Sequence, residues 1–167
     1  MPEILLQTKI LNENVTQHVK LLNNTNIMNL MEKNLPLPPF TMETARQKVM
    51  QAEELWNSRS IEEISKACTI DTEWQDRTEF INGREHVKAF LTDKWEKERG
   101  YTLKNALWGF RENRMAVRFE CEWHNVAGQW FRSYGNELWE FDNDGLMTKR
   151  YASCNDLVIG ESERRLR

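Results

Sequence analysis

The chain has 167 residues, of which 40% are hydrophobic and 29% charged, with a formal net charge of −3. That length suits one domain with a real core, and that balance is ordinary for a soluble globular protein. A slightly acidic chain lacks the clustered basic face of a nucleic-acid binder, and no apolar run approaches the roughly 20 residues of a membrane helix.

Residues 1–35 are expected to form a flexible extension. Met1 to Asn34 hold seven Asn, no Arg and no aromatic residue, and Asn competes with the helix for its own backbone. No secretory or Arg-rich leader is visible, so the expected location is the cytoplasm. Leu35-Pro36-Leu37-Pro38-Pro39 is a stiff boundary, after which a domain is expected to run to residue 159.

Phe40 and Thr41 suit a staple and N-cap for a helix whose apolar positions are Ala45, Val49, Ala52 and Trp56. Ser60 with Glu63 reads as a capping box for a short second helix. Thr69 to Arg77 alternates as a strand, with Trp74 and Asp76 on one side. Gly83 opens a third helix with the stripe Val87, Phe90, Leu91 and Trp95, ending at Gly100. Tyr101 to Glu112 is a further strand, and Arg114 to Asp156 reads as three long antiparallel strands. Asp142-Asn143-Asp144-Gly145 supplies a hairpin turn between the last two. Gly160 to Arg167 is polar and expected to fray. Helices gathered on one face of a long sheet make an α+β domain.

Cys68, Cys121 and Cys154 are widely spaced and read as small buried hydrophobes in a reducing compartment. His18, His86 and His124 fall in no ligand spacing, and no glycine-rich phosphate loop is present, so neither a metal nor a cofactor is expected.

Three stretches, PFTMETARQKVMQAEELWNSR, INGREHVKAFLTDKW and AVRFECEWHNVAGQWFRSYGNELWEFDNDGLM, resemble the nuclear transport factor 2-like, or SnoaL-like, superfamily. More narrowly, they resemble a domain-of-unknown-function branch of it, over roughly residues 37–159. The resemblance implies a cone-shaped barrel, a curved and mainly antiparallel sheet wrapped around helices, with a pocket in its mouth and often a homodimer through the outer sheet face. The superfamily holds polyketide cyclases, dehydratases, steroid isomerases, epoxide hydrolases and transport adaptors, so the fold does not choose the activity.

Pairing Glu122 with Arg132 sets Glu120 opposite Tyr134, Arg118 opposite Asn136 and Arg114 opposite Glu140, so opposite charges meet. Closing the last hairpin at Asn143-Asp144 sets Glu137 opposite Arg150. One face then carries Trp108, Phe119, Trp123, Trp139 and Cys154, with Trp74 from the earlier strand, and is expected to line an inward pocket. Its only charged pair, Glu137 with Arg150, is either a buried structural ion pair or the polar end of a ligand site. Asp76 is a second candidate, because a carboxylate among indoles has a raised pKa and can serve as acid or base. The branch carries Asn at that position, which weighs against the role. The opposite face, with Arg118, Glu120, Arg132, Tyr134 and Asn136, is expected to pair with a second copy. Arg118-x-Glu120 resembles an Arg-x-Asp element of the epoxide-hydrolase branch, with Glu in place of Asp. The expected function is binding of a small apolar or aromatic molecule, with proton transfer of isomerase, cyclase or dehydratase type as the activity. The alternative is a non-catalytic interaction or transport adaptor module.

Overall fold

Thr41 starts the first helix: its Oγ1 accepts from Thr44 N at 3.2 Å, and Thr44 Oγ1 accepts from Thr41 N at 2.8 Å. The computed structural model describes residues 36–166; the expected N-terminal extension lies outside them. Helix α1 (Met42–Ser58) buries Ala45, Val49 and Trp56, the helical spacing of an inward stripe. Ser60 Oγ accepts from Glu63 N at 3.3 Å and opens α2 (Ile61–Lys66). Strand β1 (Cys68–Asp76) is followed by a four-residue strand β2 (Glu79–Asn82), too short for a sequence pattern. Helix α3 (Arg84–Lys97) buries Val87 and Leu91. Four long strands complete the chain: β3 (Arg99–Arg111), β4 (Arg114–His124), β5 (Trp130–Phe141) and β6 (Met147–Ile159).

The six strands lie in the order β2-β1-β6-β5-β4-β3. Only β1 with β6 is parallel. The sheet is curved but open, with β2 and β3 as edges, so the expected cone does not close into a barrel. On its inner face, Trp56 stacks on Trp74 (6.0 Å) and meets Trp95 edge-on (5.9 Å), which in turn meets Tyr101 (5.1 Å). These rings fill much of the space between helices and sheet.

The β4–β5 register has Glu122 opposite Arg132, Glu120 opposite Tyr134, Arg118 opposite Asn136 and Arg114 opposite Glu140, as the charge pattern predicts. The β5–β6 register differs. Glu137 stands opposite Ala152, and Arg150 opposite Trp139, a slip of two from the expected pairing. The turn causes it: Asp142 N–H bonds Leu146 O around a three-residue loop with Gly145 at φ 75°, and Thr148 bulges from the ladder. A slip of two keeps every side chain on its face, so Glu137 and Arg150 still point inward together.

A second bulge overturns the placement of Trp108. Leu107 pairs Val117, but Gly109 pairs Ala116, leaving Trp108 unopposed. One extra residue flips the alternation, and Trp108 is 81% exposed. The chain end has partners of its own. Arg165 and Leu166 donate their backbone N–H groups to Glu122, and Arg165 clamps Glu120. Distant partners with no shared sequence pattern hold it down.

Candidate functional site

Arg150, 3% exposed, stands at the centre of the inner face. β6 carries it, and its guanidinium meets one carboxylate from β5 and one from the end of β1. Nη2 reaches Glu137 Oε1 at 2.5 Å, Nε reaches Glu137 Oε2 at 3.1 Å, and Nη1 reaches Asp76 Oδ2 at 2.8 Å. The plane of the guanidinium is further set by the rings of Trp56 and Trp74, at 4.7 and 5.0 Å. Trp139 Nε1 donates to Glu137 Oε2 at 2.5 Å. The sequence thus names three members of one cluster, although it does not show that Asp76 joins the other two.

Burial by itself would raise the Asp76 pKa, as expected of a carboxylate among indoles. The charges of Arg150 and Lys94 outweigh it and hold Asp76 below the usual carboxylate range. Asp76 is therefore an ionised carboxylate, not a protonated acid. Burial would likewise lower Arg150, but Glu137 and Asp76 raise it above its ordinary value.

These groups face a cavity of about 20 Å³, room for about one water molecule. Phe119, Cys154, Asp76, Glu137 and Arg150 line it. The expected aromatic lining is otherwise different. Trp74 and Trp139 support the cluster from behind, while Trp123 stacks on Phe131 at 4.4 Å and donates to Ser133 Oγ at 2.9 Å. Gly135 makes room for Phe119: a Cβ there would lie 2.3 Å from the Phe119 ring and 2.7 Å from Ser153 O.

Several lining residues carried no signal that sequence reasoning used. Lys94 and Glu98 form an ion pair of 2.7 Å at the end of α3; their i,i+4 spacing was the available clue. Tyr101 lines the cavity with a hydroxyl whose pKa burial raises well above normal. Ser133 Oγ donates to Asp156 Oδ1 at 2.6 Å, and Arg77 pairs with the same oxygen. Arg77, at φ 56°, occupies a left-handed conformation costly for a side chain. Burial pushes the Cys121 thiol to about 12 and Cys154 to about 11, so neither is a nucleophile at neutral pH. Among the described residues, no three His, Cys, Asp or Glu side chains converge as metal ligands do.

The outer sheet face divides in two. Towards the β4–β5 loop, Glu120, Arg132 and Tyr134 interact with the chain's own end, Glu120 and Tyr134 through Arg165 and Arg132 through the Glu163 carbonyl. Arg118 and Asn136 stay exposed beside them. Further along, the pairings Gly109–Ala116, Ala116–Leu138 and Leu138–Tyr151 make an apolar row across four strands. Leu138 is 57% exposed, and the row lies in an open groove of about 530 Å³.

A family model described as "Protein of unknown function (DUF1348)" matches residues 38–167. No curated protein matches the chain. Among solved structures, the epoxide hydrolase/cyclase-like enzyme SalBIII, described in pyran ring formation in the polyether salinomycin, is similar at 12% identity and a TM-score of 0.60; the match covers 66% of this chain and 89% of that one. A nuclear transport factor 2-like protein of unknown function from Cytophaga hutchinsonii is 18% identical, with a TM-score of 0.53, and the match covers 69% and 100% of the two chains. TerC, co-crystallised with polyporic acid, is 18% identical at a TM-score of 0.58, covering 65% and 89%. At these identities the likeness shows a shared fold.

Proposed function

The chain belongs to the DUF1348 family of nuclear transport factor 2-like proteins, and from that premise we propose that it binds a small oxygen-bearing molecule in the inner cavity and moves a proton on it. One observation carries the reading. Asp76 lines the cavity as a buried, ionised carboxylate, yet its Oδ1 accepts no hydrogen bond among the described residues. That oxygen is not sealed in the core but stays accessible from the cavity, so a ligand's donor can reach it. Asp76 is the proton acceptor in this reading. Its lowered pKa makes it a weak base, so it serves only a strongly acidified proton, such as that of a hydroxyquinone or of a 1,3-dicarbonyl. Arg150 and Lys94 together offset the two carboxylates and supply the positive field for a developing negative oxygen, while Glu137 and the two indoles hold the guanidinium plane. The proton returns to a different atom of the same molecule, which is chemistry of isomerase or cyclase type.

A cavity of about 20 Å³ admits such a molecule only if part of its wall moves. The Lys94–Glu98 pair, 13% and 15% exposed, is the wall that can swing outward. Native mass spectrometry of the purified protein tests the reading. A co-purifying small molecule is expected on the wild type and lost from Asp76→Asn, at unchanged circular dichroism under the conditions of the measurement. A bare wild type, or an Asp76→Asn protein that carries the same molecule, contradicts it.

The second reading is a non-catalytic interaction module, and the Trp56–Trp74–Trp95–Tyr101 packing favours it, because aromatic rings occupy the space a larger ligand needs. Either way, the exposed apolar row of Ala116, Leu138 and Tyr151 supports pairing with a second copy, sheet face to sheet face. Sedimentation of Leu138→Glu is expected to show monomer where the wild type is dimeric; a monomeric wild type at micromolar concentration removes the dimer.

A further inference from the structure

Glu122 is wholly buried although β4 turns it outward. Its cover is the segment after β6, a single 3-10 turn (Glu161–Glu163) followed by Arg164, Arg165 and Leu166. Two halves meet there. The strands supply Glu120, Glu122, Trp130, Arg132 and Tyr134. Arg132 binds Glu122 Oε1 through Nε and Nη2, at 2.8 and 2.7 Å, and lies 3.4 Å from Glu120. Two carboxylates around one guanidinium leave one negative charge uncompensated, so this half requires a cation.

The segment supplies it in a specific form. Arg165 places Nε and Nη2 on the two oxygens of Glu120, at 2.7 and 2.8 Å, with Nη2 also 3.3 Å from the Tyr134 hydroxyl. The backbone N–H groups of Arg165 and Leu166 reach Glu122 at 3.1 Å. The Arg164 guanidinium lies 3.8 Å from the centre of the Trp130 ring. A two-pronged arginine, an arginine on an indole face and a pair of backbone donors are the contacts by which proteins read basic peptides. The strand half is held by the β4–β5 register and by the bonds of Arg132 to Glu122, both within the strands. The grip is exchangeable, because Arg165 is 56% and Glu120 23% exposed and surface ion pairs hold weakly.

We propose that this recess is a receptor for an Arg-Arg-Leu segment, occupied in cis by the chain's own residues 164–166 and open in trans to the same segment of a second copy. A tethered segment acts at an effective concentration in the ~mM range, so exchange needs the second copy held close. The Leu138 row lies on the same face of the same strands and provides that proximity; the exchange rests on the face pairing proposed above.

The probe is a fluorescent peptide of residues 160–166, added to full-length protein. Arg164→Ala with Arg165→Ala empties the recess, and this chain is expected to bind the peptide at least tenfold more tightly than the wild type, whose own segment competes. Adding Glu120→Gln to the emptied chain is expected to weaken binding at least tenfold. No binding to the emptied chain at unchanged circular dichroism overturns the receptor, as does binding that ignores Glu120→Gln. Peptide binding does not depend on dimerisation, so its failure is distinct from failure of the Leu138→Glu sedimentation test. Exchange itself is read by mixing full-length Tyr134→Cys and Arg165→Cys chains, at positions whose native side chains meet at 3.3 Å in the recess, under mild oxidation. A mixed disulfide dimer is expected; its absence at concentrations where the wild type is dimeric overturns the exchange.

Discussion

The two faces of one sheet carry two clusters of the same composition, and only one of them is complete. On the inner face, Asp76 and Glu137 share Arg150; on the outer face, Glu120 and Glu122 share Arg132. The outer pair gains a second guanidinium from Arg165 and two backbone donors. The inner one gains the Trp139 indole N–H on Glu137 but, among the described residues, no second guanidinium, and Asp76 lines a cavity. A buried charge cluster that is closed stabilises the fold, whereas one left open at a cavity is placed to meet a ligand.

The largest effect is expected at the inner centre. Arg150→Met strands two buried carboxylates and is expected to cost about 3–5 kcal/mol, roughly 10 °C or more in thermal midpoint. Adding both Asp76→Asn and Glu137→Gln is expected to restore much of it, since no charge is then unpaired. Replacing Glu137 alone with Arg150 is expected to restore less, because Asp76 still loses its partner. Equal recovery in the two cases contradicts a three-membered cluster.

Removing Glu122 charge tests the outer face. Glu122→Gln loses charge-assisted bonds from Arg132 and the segment, with an expected cost of about 2–3 kcal/mol read by urea unfolding. A loss under 0.5 kcal/mol contradicts the buried position of the carboxylate.

Acid is expected to act on both clusters in the same direction. Burial would raise Asp76 and Glu122, but Arg150 and Lys94 lower the first, and Arg132 with the Arg165 and Leu166 backbone lowers the second. Carboxylates with depressed folded-state pKa values contribute stability above their unfolded range, and it is lost as pH falls through the folded values. Stability is therefore expected to be level above about pH 5 and to fall below about pH 4. Asp76→Asn and Glu122→Gln are each expected to flatten that fall; an unchanged acid limb in both variants contradicts the assignment. The smallest effect is expected from Arg165→Ala, below about 1 kcal/mol because its ion pair is exposed. A drop of several kcal/mol there would make the outer segment an obligatory part of the fold.

Residue periodicity and charge pairing made the three helices and the β4–β5 register legible, because hydrophobic spacing and cross-strand charges are local or one hairpin apart. Bulges are not written in alternation. Alternation groups Trp108 with the pocket because the pattern has no mark for the extra residue, and the three-residue loop and Thr148 bulge together shift Arg150 by two without changing its face. Glu137 and Arg150 were therefore legible as inward neighbours. That Asp76 bonds Arg150 follows from β1 lying parallel to β6, a pairing between residues 74 apart that no local pattern carries. The Arg165 clamp on Glu120 escaped for the same reason, with 45 residues between its partners.

The contrast between an open inner cluster and a closed outer one is tested most directly by ligand-observed NMR with a panel of small enols, 1,3-dicarbonyls and hydroxyquinones. The wild type and Glu120→Gln are expected to bind the same members of the panel with the same affinity, while Asp76→Asn binds them at least tenfold more weakly. Binding that survives Asp76→Asn unchanged, or that disappears with Glu120→Gln, contradicts a ligand site at the inner cluster.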